Sequence, residues 1–477
     1  MNRKATGMLS ILAALAMLFV LGCAQAGPTV TVENSFDVVV IGAGGGGMSA
    51  AVEAADAGAS VVVLEKMPGV GGNTMYATGG MNAPGTRYQE ALGIEDSVDL
   101  FVSDAMTGGR ELNDPALVNV MATNAAEAVH WLADLGADLS DVGRMGGHSV
   151  NRTHRPTGGA AVGAEIVLTL EQAVLDRGVD IREGNMVTEI LMNRNGAYGV
   201  RVERMNGEVY EIRAGAVIVA TGGFGADNSI VAEIDPDLLG FGTTNHRGAT
   251  GDAIQMLGDS VAWVDLEQIQ THPTVVPERN IMITEAVRGN GAIMVGREGT
   301  RFVNELGTRD VVSESILAQP GGTAFLLFDQ EVRESLSAIE TYARQRLMVE
   351  GETLEALAIE LGMPTDALEQ AVAEYNDAVA AGEDAAYGRP QLPRTLTTGP
   401  FYAIEIGPAV HHTMGGVGIN TSAQVISANN AVIPGLYAAG EVTGGVHGAN
   451  RLGGNALADI VVFGRIAGQN AAAYARR

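Results

Sequence analysis

Cysteine is almost absent from this sequence. Among 477 residues there is a single cysteine, Cys23. A lone cysteine excludes an internal disulfide, a cysteine-ligated iron–sulfur cluster and a C-x-x-C-H haem attachment site. The chain therefore carries neither of the metal-based electron carriers that cysteine attaches to a protein.

Basic residues are also scarce. Lysine and arginine together number 29 against 56 aspartates and glutamates, which gives a formal charge of −27. So acidic a chain is a poor ligand for nucleic acid or for anionic lipid headgroups. Any local cluster of arginine and histidine is correspondingly informative, because it opposes the field of the whole molecule.

The sequence has no low-complexity tract and one candidate targeting segment. A basic start is followed by 14 apolar residues, Met8 to Leu21, which are too few for a comfortable membrane span but suit a signal peptide at residues 1–26. Val20 to Cys23 resembles a lipoprotein signal, whereas Ala24 to Ala26 suits ordinary cleavage. Both endings predict a protein outside the cytoplasm, periplasmic or at the cell surface, touching a membrane only through a possible lipid anchor.

Glycine is abundant, with 64 residues, and the first glycine-rich loop lies in FDVVVIGAGGGGMSAAVEAADAGASVVVLEK, Phe36 to Lys66. An apolar strand leads into Gly42, Gly44 and Gly47 in G-x-G-x-x-G spacing, and an alanine-rich helix follows. A second strand ends at Glu65, 18 residues beyond Gly47. Strand, glycine turn, helix and acid in this order predict dinucleotide binding, with the pyrophosphate at the helix N-terminus.

Two further strands end in glycine turns. They are AVIVATGGFG, residues 216–225, and IPGLYAAGEVTGG, residues 433–445, which contains Glu441. Each alone could be an internal strand closed by a glycine turn. Three such loops spread over the chain favour FAD over NAD, because FAD is long and chain from both ends of the domain must cover it.

The chain resembles the flavoprotein part of the periplasmic flavocytochrome c fumarate reductases, from about Phe36 to the C-terminus. Besides the three loops, the motifs that carry this resemblance are GVGGNTMYATGGMNAPG, THPT, ITEAVRGNGAI, RFVNELGTRDVVS, HHTMGGV and GEVTGGVHGANRLGGNALAD. The resemblance implies an α/β fold in which a smaller α+β clamp domain interrupts a Rossmann-like FAD-binding domain. We place the FAD-binding domain at residues 28–266 and 412–477, and the clamp at 267–411.

Two departures from the family affect the expected chemistry. No haem attachment motif precedes the flavin domain, so electrons are expected from a separate donor such as a multihaem cytochrome. The related membrane enzymes attach FAD through a histidine in an R-S-H-T loop. The matching stretch here, Gly71 to Thr74, has no histidine, so FAD is expected to bind non-covalently.

The resemblance assigns residues to both ends of a dicarboxylate substrate, fumarate. A planar guanidinium suits a carboxylate because it offers two parallel hydrogen bonds, which lysine does not. One end is expected at His272, Thr284 and Glu285, the other at His411 and Arg451, with Gly80 also touching substrate.

The resemblance also implies a proton path. Arg309 matches the family's proton donor, and Glu285 with Arg288 matches the relay that reprotonates it. Arginine is an unusual acid, so its use requires proton transfer in step with the growing carbanion charge in a closed site. We expect the arginines beside Glu285 to keep it ionised.

Fifteen positions are expected to contact FAD, and no metal is expected. The FAD positions are Gly42, Gly44, Gly46, Gly47, Glu65, Asn73, Thr74, Gly79, Gly80, Val187, Asp252, His412, Glu441, Ala456 and Leu457.

Several alternatives stay open from the residues alone. Glu285 and Arg288, three apart, could form a helical salt bridge, Arg451 could pair with Asp459, and His412 could be a core residue. The substrate could be another activated alkene acid, such as urocanate, methacrylate or a cinnamate, or the protein could be an electron-carrier lipoprotein. Two carboxylate-binding sets favour a dicarboxylate, and a proton donor favours an enzyme.

Overall fold

A computed structural model describes residues 31–477 of the chain. The predicted signal peptide at residues 1–26, including Cys23, lies outside this range. No helix within the described range is both long enough and apolar enough to cross a bilayer.

Nineteen strands make up the described sheets. They are β1 Thr31–Ile41, β2 Val61–Glu65, β3 Met81–Asn82, β4 Asp141–Gly143, β5 Thr153–Arg155, β6 Asp180–Glu183, β7 Asn185–Asn193, β8 Gly196–Arg204, β9 Val209–Val219, β10 Trp263–Val264, β11 Ile269–Val276, β12 Ile281–Met282, β13 Ile293–Val295, β14 Ala324–Asp329, β15 Val349–Gly351, β16 Phe401–Thr413, β17 Gly416–Val417, β18 Gln424–Ile426 and β19 Val432–Ala438.

Fourteen α-helices and four short 3₁₀ turns connect these strands in the described range. The α-helices are α1 Gly45–Asp56, α2 Arg87–Ala91, α3 Val98–Gly108, α4 Pro115–Asp134, α5 Val162–Asp176, α6 Asn228–Ile234, α7 Asp252–Leu257, α8 Ala286–Gly289, α9 Arg309–Leu317, α10 Gln330–Glu334, α11 Ser337–Arg344, α12 Leu354–Leu361, α13 Thr365–Ala381 and α14 Asn455–Ala475. The 3₁₀ turns are Gly72–Tyr76, Pro236–Leu238, Gly258–Ser260 and Pro320–Gly322.

The largest sheet has the order β18-β19-β9-β1-β2-β6, with β7 and β8 joined to its β9 side. Strands β19, β9, β1, β2 and β6 run parallel. The apolar runs of β1 and β2 are buried because helices cover the sheet, as parallel sheets require. Helix α14 packs on α1 at Gly464 and Gly468, where a Cβ would come within 2.5 Å and 2.2 Å of α1 backbone oxygens. The C-terminal helix thus completes the dinucleotide domain.

A second sheet has the order β12-β11-β16-β14-β13, with β15 also paired to β16. Its strands are antiparallel, and its hydrophobic core runs from Ile283 to Ile406, separate from the core of the large sheet. The predicted α/β class, with a dinucleotide sheet and a smaller inserted part, is confirmed. The boundaries at 266/267 and 411/412 stay predictions; β16 runs unbroken to Thr413, so position 411/412 lies inside a strand.

Candidate active site

The first glycine loop forms the turn between β1 and α1. Gly42 has φ +103°, and a Cβ there would lie 2.3 Å from Ala220 O, so only glycine fits. Gly44 and Gly46 line an adjacent cleft. Gly47 does not line it; a Cβ at Gly47 would lie 2.0 Å from Gly42 O, so this glycine lets the helix pack closely on the turn.

Two acids predicted to contact the cofactor lie in the same cleft and already have protein partners. The Glu65 carboxylate accepts hydrogen bonds from Ala43 N at 2.9 Å and Met67 N at 2.8 Å. Burial raises its pKa, against the effect of these two bonds. Asp252 forms an ion pair with Lys66 at 2.7 Å.

The cleft opens into a larger cavity, and the two have volumes of about 800 Å³ and 2190 Å³. Asn73, Thr74, Glu441 and Ile460 line both, which makes one continuous elongated space. Most predicted cofactor positions fall along it. The cleft receives Gly42, Gly44, Gly46, Glu65, Val187 and Asp252, and the larger reaction cavity receives Gly79, Gly80, His412, Ala456 and Leu457.

This space suits a long dinucleotide whose ring system reaches the reaction cavity. The glycine loop leaves room for backbone to approach a pyrophosphate. At the far end His412 is 5% exposed, and its Nε2 has no hydrogen-bond partner. Because buried polar atoms are normally satisfied, this orphaned nitrogen indicates a ligand beside it. The residues present therefore fit FAD.

Two strands of the second sheet bring two predicted substrate histidines together. His272 on β11 and His411 on β16 have ring centroids 5.0 Å apart, and His411 Nδ1 lies 2.6 Å from Thr244 Oγ1. Burial and the nearby Arg309 hold the pKa of both imidazoles well below the ordinary value. Both rings are therefore neutral at neutral pH. Thr284 lines the same cavity.

Glu285 lies at the centre of a cluster of arginines. It precedes the four-residue helix α8, and its Oε1 lies 2.6 Å from Arg309 Nε and 3.5 Å from Arg288 Nη2. Burial acts to raise the pKa of Glu285, but Arg309 and Arg288 outweigh it and lower the pKa to about 2. The expectation that Glu285 is ionised stays a prediction, which the direction of this pKa shift supports.

Arg451 approaches the same cluster from the loop before α14. The alternative pairing of Arg451 with Asp459 is wrong, because the Asp459 carboxylate lies 3.1 Å from His447 Nε2 and no carboxylate in the described range is within ion-pair distance of Arg451. Arg451 is 5% exposed, its Nε has no hydrogen-bond partner, and burial together with Arg309 lowers its pKa to about 9. A buried cation without a counterion indicates that an anionic ligand binds there.

Gln270 is a site residue that the sequence analysis missed. Its Oε1 accepts from Arg309 Nη1 at 2.9 Å and from Arg451 Nη2 at 3.2 Å. Its Nε2 donates to Asn450 Oδ1 at 2.6 Å and to Arg451 O at 2.8 Å. Gln270 and His272 are two apart on β11, so strand alternation puts both on one face, and this spacing was a usable signal.

Arg288 does not line the reaction cavity. It lines a second cavity, the vestibule. Four residues line both the vestibule and the reaction cavity, namely Met145, Glu285, Arg309 and Arg451. Arg288 Nη1 donates to Glu305 O at 2.6 Å, and its Nε has no partner. The ionised pair Glu285–Arg309 therefore separates two cavities, with Arg288 on the far side.

No cluster of three or more metal-ligating side chains occurs among residues 31–477.

Residues 37–457 match the family model described as an FAD binding domain. The chain is 50% identical over 447 residues to "Fumarate reductase (cytochrome)" of Shewanella frigidimarina, covering 93% of this chain and 78% of that one. It is 36% identical to "Urocanate reductase" of Eggerthella lenta, covering 92% and 75%.

A solved structure described as the open conformation of a flavocytochrome c3 fumarate reductase superimposes with a TM-score of 0.81 at 44% identity. The match covers 95% of this chain and 80% of that one. The chain belongs to the family of FAD-dependent fumarate reductases, oxidoreductases that act on a CH–CH bond.

Proposed function

We propose that this protein reduces fumarate to succinate with bound FAD and with electrons from a separate donor. One observation carries the proposal: Arg309 and Arg451 line the reaction cavity, and Glu285 pairs with Arg309 and Arg288 but leaves Arg451 without a carboxylate at ion-pair distance. Glu441 is the other acid in that cavity, and burial raises its pKa. This local positive excess in a chain of net charge −27 complements an anionic substrate, and two carboxylates match it better than one.

FAD held along the cleft and reaction cavity would supply the hydride that goes to one alkene carbon. Non-covalent binding is supported by the loop from Gly71 to Thr74, which offers no histidine, and by Asn73, whose amide donates to Glu441 Oε2 at 2.9 Å. Denaturing the holoprotein with acid should release all of the flavin into the supernatant. Flavin that stays with the precipitated chain would contradict this.

The chain's own residues would bind the substrate at both ends. Arg451 offers the unpartnered Nε, and the neutral His411 and His272, with rings 5.0 Å apart, line the same cavity as Thr284. A neutral imidazole donates a single hydrogen bond and adds no charge. The guanidinium groups of Arg309 and Arg451 therefore supply the electrostatic attraction for the substrate. Holding both carboxylates fixes the alkene in one orientation, which can contribute several kcal/mol to the rate.

Arg309 is the proposed proton donor, and its hydrogen bonds favour Nη2 as the nitrogen that gives up the proton. Nε is bonded to Glu285 and Nη1 to Gln270, whereas Nη2 has no bond to any described residue. The hydrogen bonds at Nε and Nη1 therefore fix the guanidinium, and we propose that Nη2 faces the reaction cavity. A proton leaves Nη2 for the second alkene carbon while the N–H bond breaks, and Arg309 becomes neutral.

Reprotonation would run through Glu285. While Arg309 is charged, Glu285 is a very weak base, with a pKa of about 2. Loss of the Arg309 charge removes the larger of its two attractive partners, so the carboxylate then binds a proton more tightly. Glu285 takes that proton from the vestibule beside Arg288 and returns it to Arg309 at Nη2, the nitrogen that gave up its proton, because Nε keeps its own hydrogen in the 2.6 Å bond to Glu285.

The electron donor and the cellular location of the protein are part of the same proposal. The chain has no cysteine after Cys23, so a partner such as a multihaem cytochrome would deliver electrons to the flavin. The segment at residues 1–26 would place the enzyme in the periplasm or at the cell surface, with or without a lipid anchor.

The test is an anaerobic assay of the FAD-loaded protein with reduced methyl viologen. Fumarate, urocanate and methacrylate are compared at equal concentration, and dye oxidation without any acceptor is the control. Saturable oxidation with fumarate and much slower oxidation with the mono-acids is expected. If urocanate or methacrylate is turned over in preference to fumarate, that acid replaces fumarate as the proposed substrate. If no acid is turned over, the proposal that the protein is an enzyme is overturned.

A further inference from the structure

Strand β11 contains a β-bulge immediately after His272. The register of β11 with β16 shifts between His272 and Val275, so that β11 has one more residue than its partner over this stretch. Pro273, inside the bulge, has no N–H, so the ladder loses no hydrogen bond at that position. The next N–H, that of Thr274, bonds to a side chain, and the bulge makes this possible.

That side chain is His272 itself. Thr274 N donates a hydrogen bond to His272 Nδ1 at 3.3 Å. A backbone N–H can only donate, so Nδ1 is an acceptor and carries no hydrogen. The Thr274 hydroxyl is 3.4 Å from the same nitrogen, but it donates its hydrogen to Ile283 O at 2.8 Å. A neutral imidazole has one N–H, so in the neutral ring of His272 the hydrogen lies on Nε2.

The Nε2 atom of His272 has no acceptor within the protein. His272 is 1% exposed and lines the reaction cavity, and its Nε2 lies 3.7 Å from Glu285 Oε1, which is beyond hydrogen-bond distance. Between residues 31 and 477 no side chain or carbonyl forms a hydrogen bond with this nitrogen. Because buried donors are normally satisfied, an N–H in this position indicates that a ligand with an acceptor atom binds there.

We propose that Thr274 is a positioning residue that keeps the hydrogen of His272 on Nε2, so that His272 donates a hydrogen bond to a carboxylate of the substrate. The opposite tautomer would direct a lone pair at that carboxylate and repel it. Thr274 is 0% exposed and lines neither cavity, so it acts only through its neighbours.

The hydroxyl of Thr274 has a second effect. Its bond to Ile283 O connects the bulge to the segment that carries Thr284, another predicted substrate residue. One buried threonine therefore fixes both the tautomer of His272 and its position relative to Thr284. This inference rests on the proposed function for the group that accepts the hydrogen bond, whereas the tautomer is a property of the chain alone.

The direct test is ¹⁵N NMR of the FAD-loaded protein with ¹⁵N-labelled histidine and without fumarate. Long-range ¹H–¹⁵N correlation should give His272 a pyridine-type Nδ1 and a pyrrole-type Nε2, and His272→Gln assigns its signals among the eight histidines. His154 is the opposite reference, because its Nδ1 lies 3.3 Å from the carbonyl oxygen of Met81 and must donate. A hydrogen on Nδ1 of His272 would overturn the inference.

Kinetics of two Thr274 variants test the positioning. Thr274→Val removes the hydroxyl at nearly constant shape, and KM for fumarate should rise about tenfold while kcat and flavin content stay near wild type. Thr274→Ser keeps the hydroxyl and should restore KM. Ser335→Ala is the matched control, since Ser335 Oγ also donates to a backbone carbonyl, Val332 O at 2.7 Å, but lines neither cavity.

The outcomes separate this inference from the proposed function. A wild-type KM in Thr274→Val, or an equal rise of KM in Thr274→Ser or Ser335→Ala, would overturn the positioning role. If wild-type protein does not turn over fumarate at all, the proposed function fails, and the NMR measurement still decides the tautomer of His272.

Discussion

Two buried arginine networks meet beneath the reaction cavity, and they are built differently. In the first, Arg301 and Arg389 bind Glu305 and Asp384, so charges balance, and the three nitrogens of the Arg389 guanidinium all donate hydrogen bonds. Burial acts to lower the pKa of Arg301, but Glu305 and Asp384 outweigh it and raise that pKa. This network is complete without a ligand.

The second network is the cluster around Glu285. Arg288 and Arg309 share the Glu285 carboxylate, and Arg451 has no carboxylate of a described residue within ion-pair distance. The Nε atoms of Arg288 and Arg451 have no partner, and burial lowers the pKa of both arginines. The two networks touch where Arg288 Nη1 donates to Glu305 O and Arg389 Nη2 donates to Arg288 O. From this difference we infer that a buried network with equal numbers of positive and negative groups stabilises the fold. A network with excess positive charge is maintained for a negatively charged ligand.

Removing Arg309 should give the largest effect on activity. Arg309→Ala should lower kcat for fumarate by roughly 10²- to 10⁴-fold, because general acid catalysis is lost. Flavin content, its absorption spectrum and the thermal unfolding midpoint should stay close to wild type. Arg297→Ala is the matched control: Arg297 is an exposed arginine of the same sheet region paired with Glu405, and its loss should leave turnover unchanged. Turnover by Arg309→Ala near the wild-type rate would remove Arg309 as the donor.

The balanced network should respond in stability. Glu305→Gln leaves Arg301 and Arg389 with too few carboxylates in a buried site, since Glu305 itself is 0% exposed. The free energy of unfolding in urea should fall by about 3–5 kcal/mol. A decrease below about 1 kcal/mol would show that the ion pairs of Glu305 with Arg301 and Arg389 do not stabilise the fold.

The ionisation of Glu285 should make the free energy of unfolding depend on pH in the acid range. Its pKa is about 2 in the folded chain against an ordinary value of 4.5. Because the folded-state pKa is depressed, the ionised carboxylate stabilises the fold above about pH 4.5, and that stabilisation is lost as the pH falls toward 2. The difference corresponds to on the order of 3 kcal/mol.

Urea unfolding of the wild type and of Glu285→Gln at several pH values measures this linkage. The gap in unfolding free energy between the two proteins should be widest near neutral pH and should narrow on acidification through that window. A gap that stays constant with pH would mean that the arginines do not hold the Glu285 charge.

Arg451 should give the smallest of the four effects. Arg451→Lys keeps a positive charge but loses the planar pair of donors, so KM for fumarate should rise roughly tenfold to a hundredfold, equivalent to 1.5–3 kcal/mol. Steady-state kinetics with reduced methyl viologen measure this. The KM for a mono-acid that leaves Arg451 unused should change less, and an equal rise for both would place Arg451 outside substrate recognition.

Much of the fold was predictable from local patterns. The order of strand, glycine turn, helix and acid around Gly42 and Glu65 is read within one short segment, and it correctly placed the dinucleotide cleft. The antiparallel clamp sheet and its pairing of β11 with β16 join residues far apart in the chain. Periodicity does not specify such partners, and the family resemblance implied an inserted clamp domain without giving its strand pairing.

The site was predictable to a lesser degree. Nothing near Arg451 in sequence excluded Asp459 as its partner; only the packing of α14 against the loop at His447 decided that pairing. Gln270 was overlooked because a neutral amide in a strand is common, and its bridge between Arg309 and Arg451 appears only once three separate segments converge. The position of Arg288 in the vestibule likewise depends on how the two sheets face each other.

By itself the sequence determined the dinucleotide loop, the identity of the charged residues and the absence of cysteine-held electron carriers, because these are properties of composition and of short segments. Which charged side chains come into contact depends on the tertiary structure. It brought together three arginines from segments up to 163 positions apart, Arg288 to Arg451. It left the Nε atoms of Arg288 and Arg451 and the Nη2 atom of Arg309 without a described partner. Burial in a low-dielectric interior makes that imbalance strong, and no local stretch of the chain specifies burial.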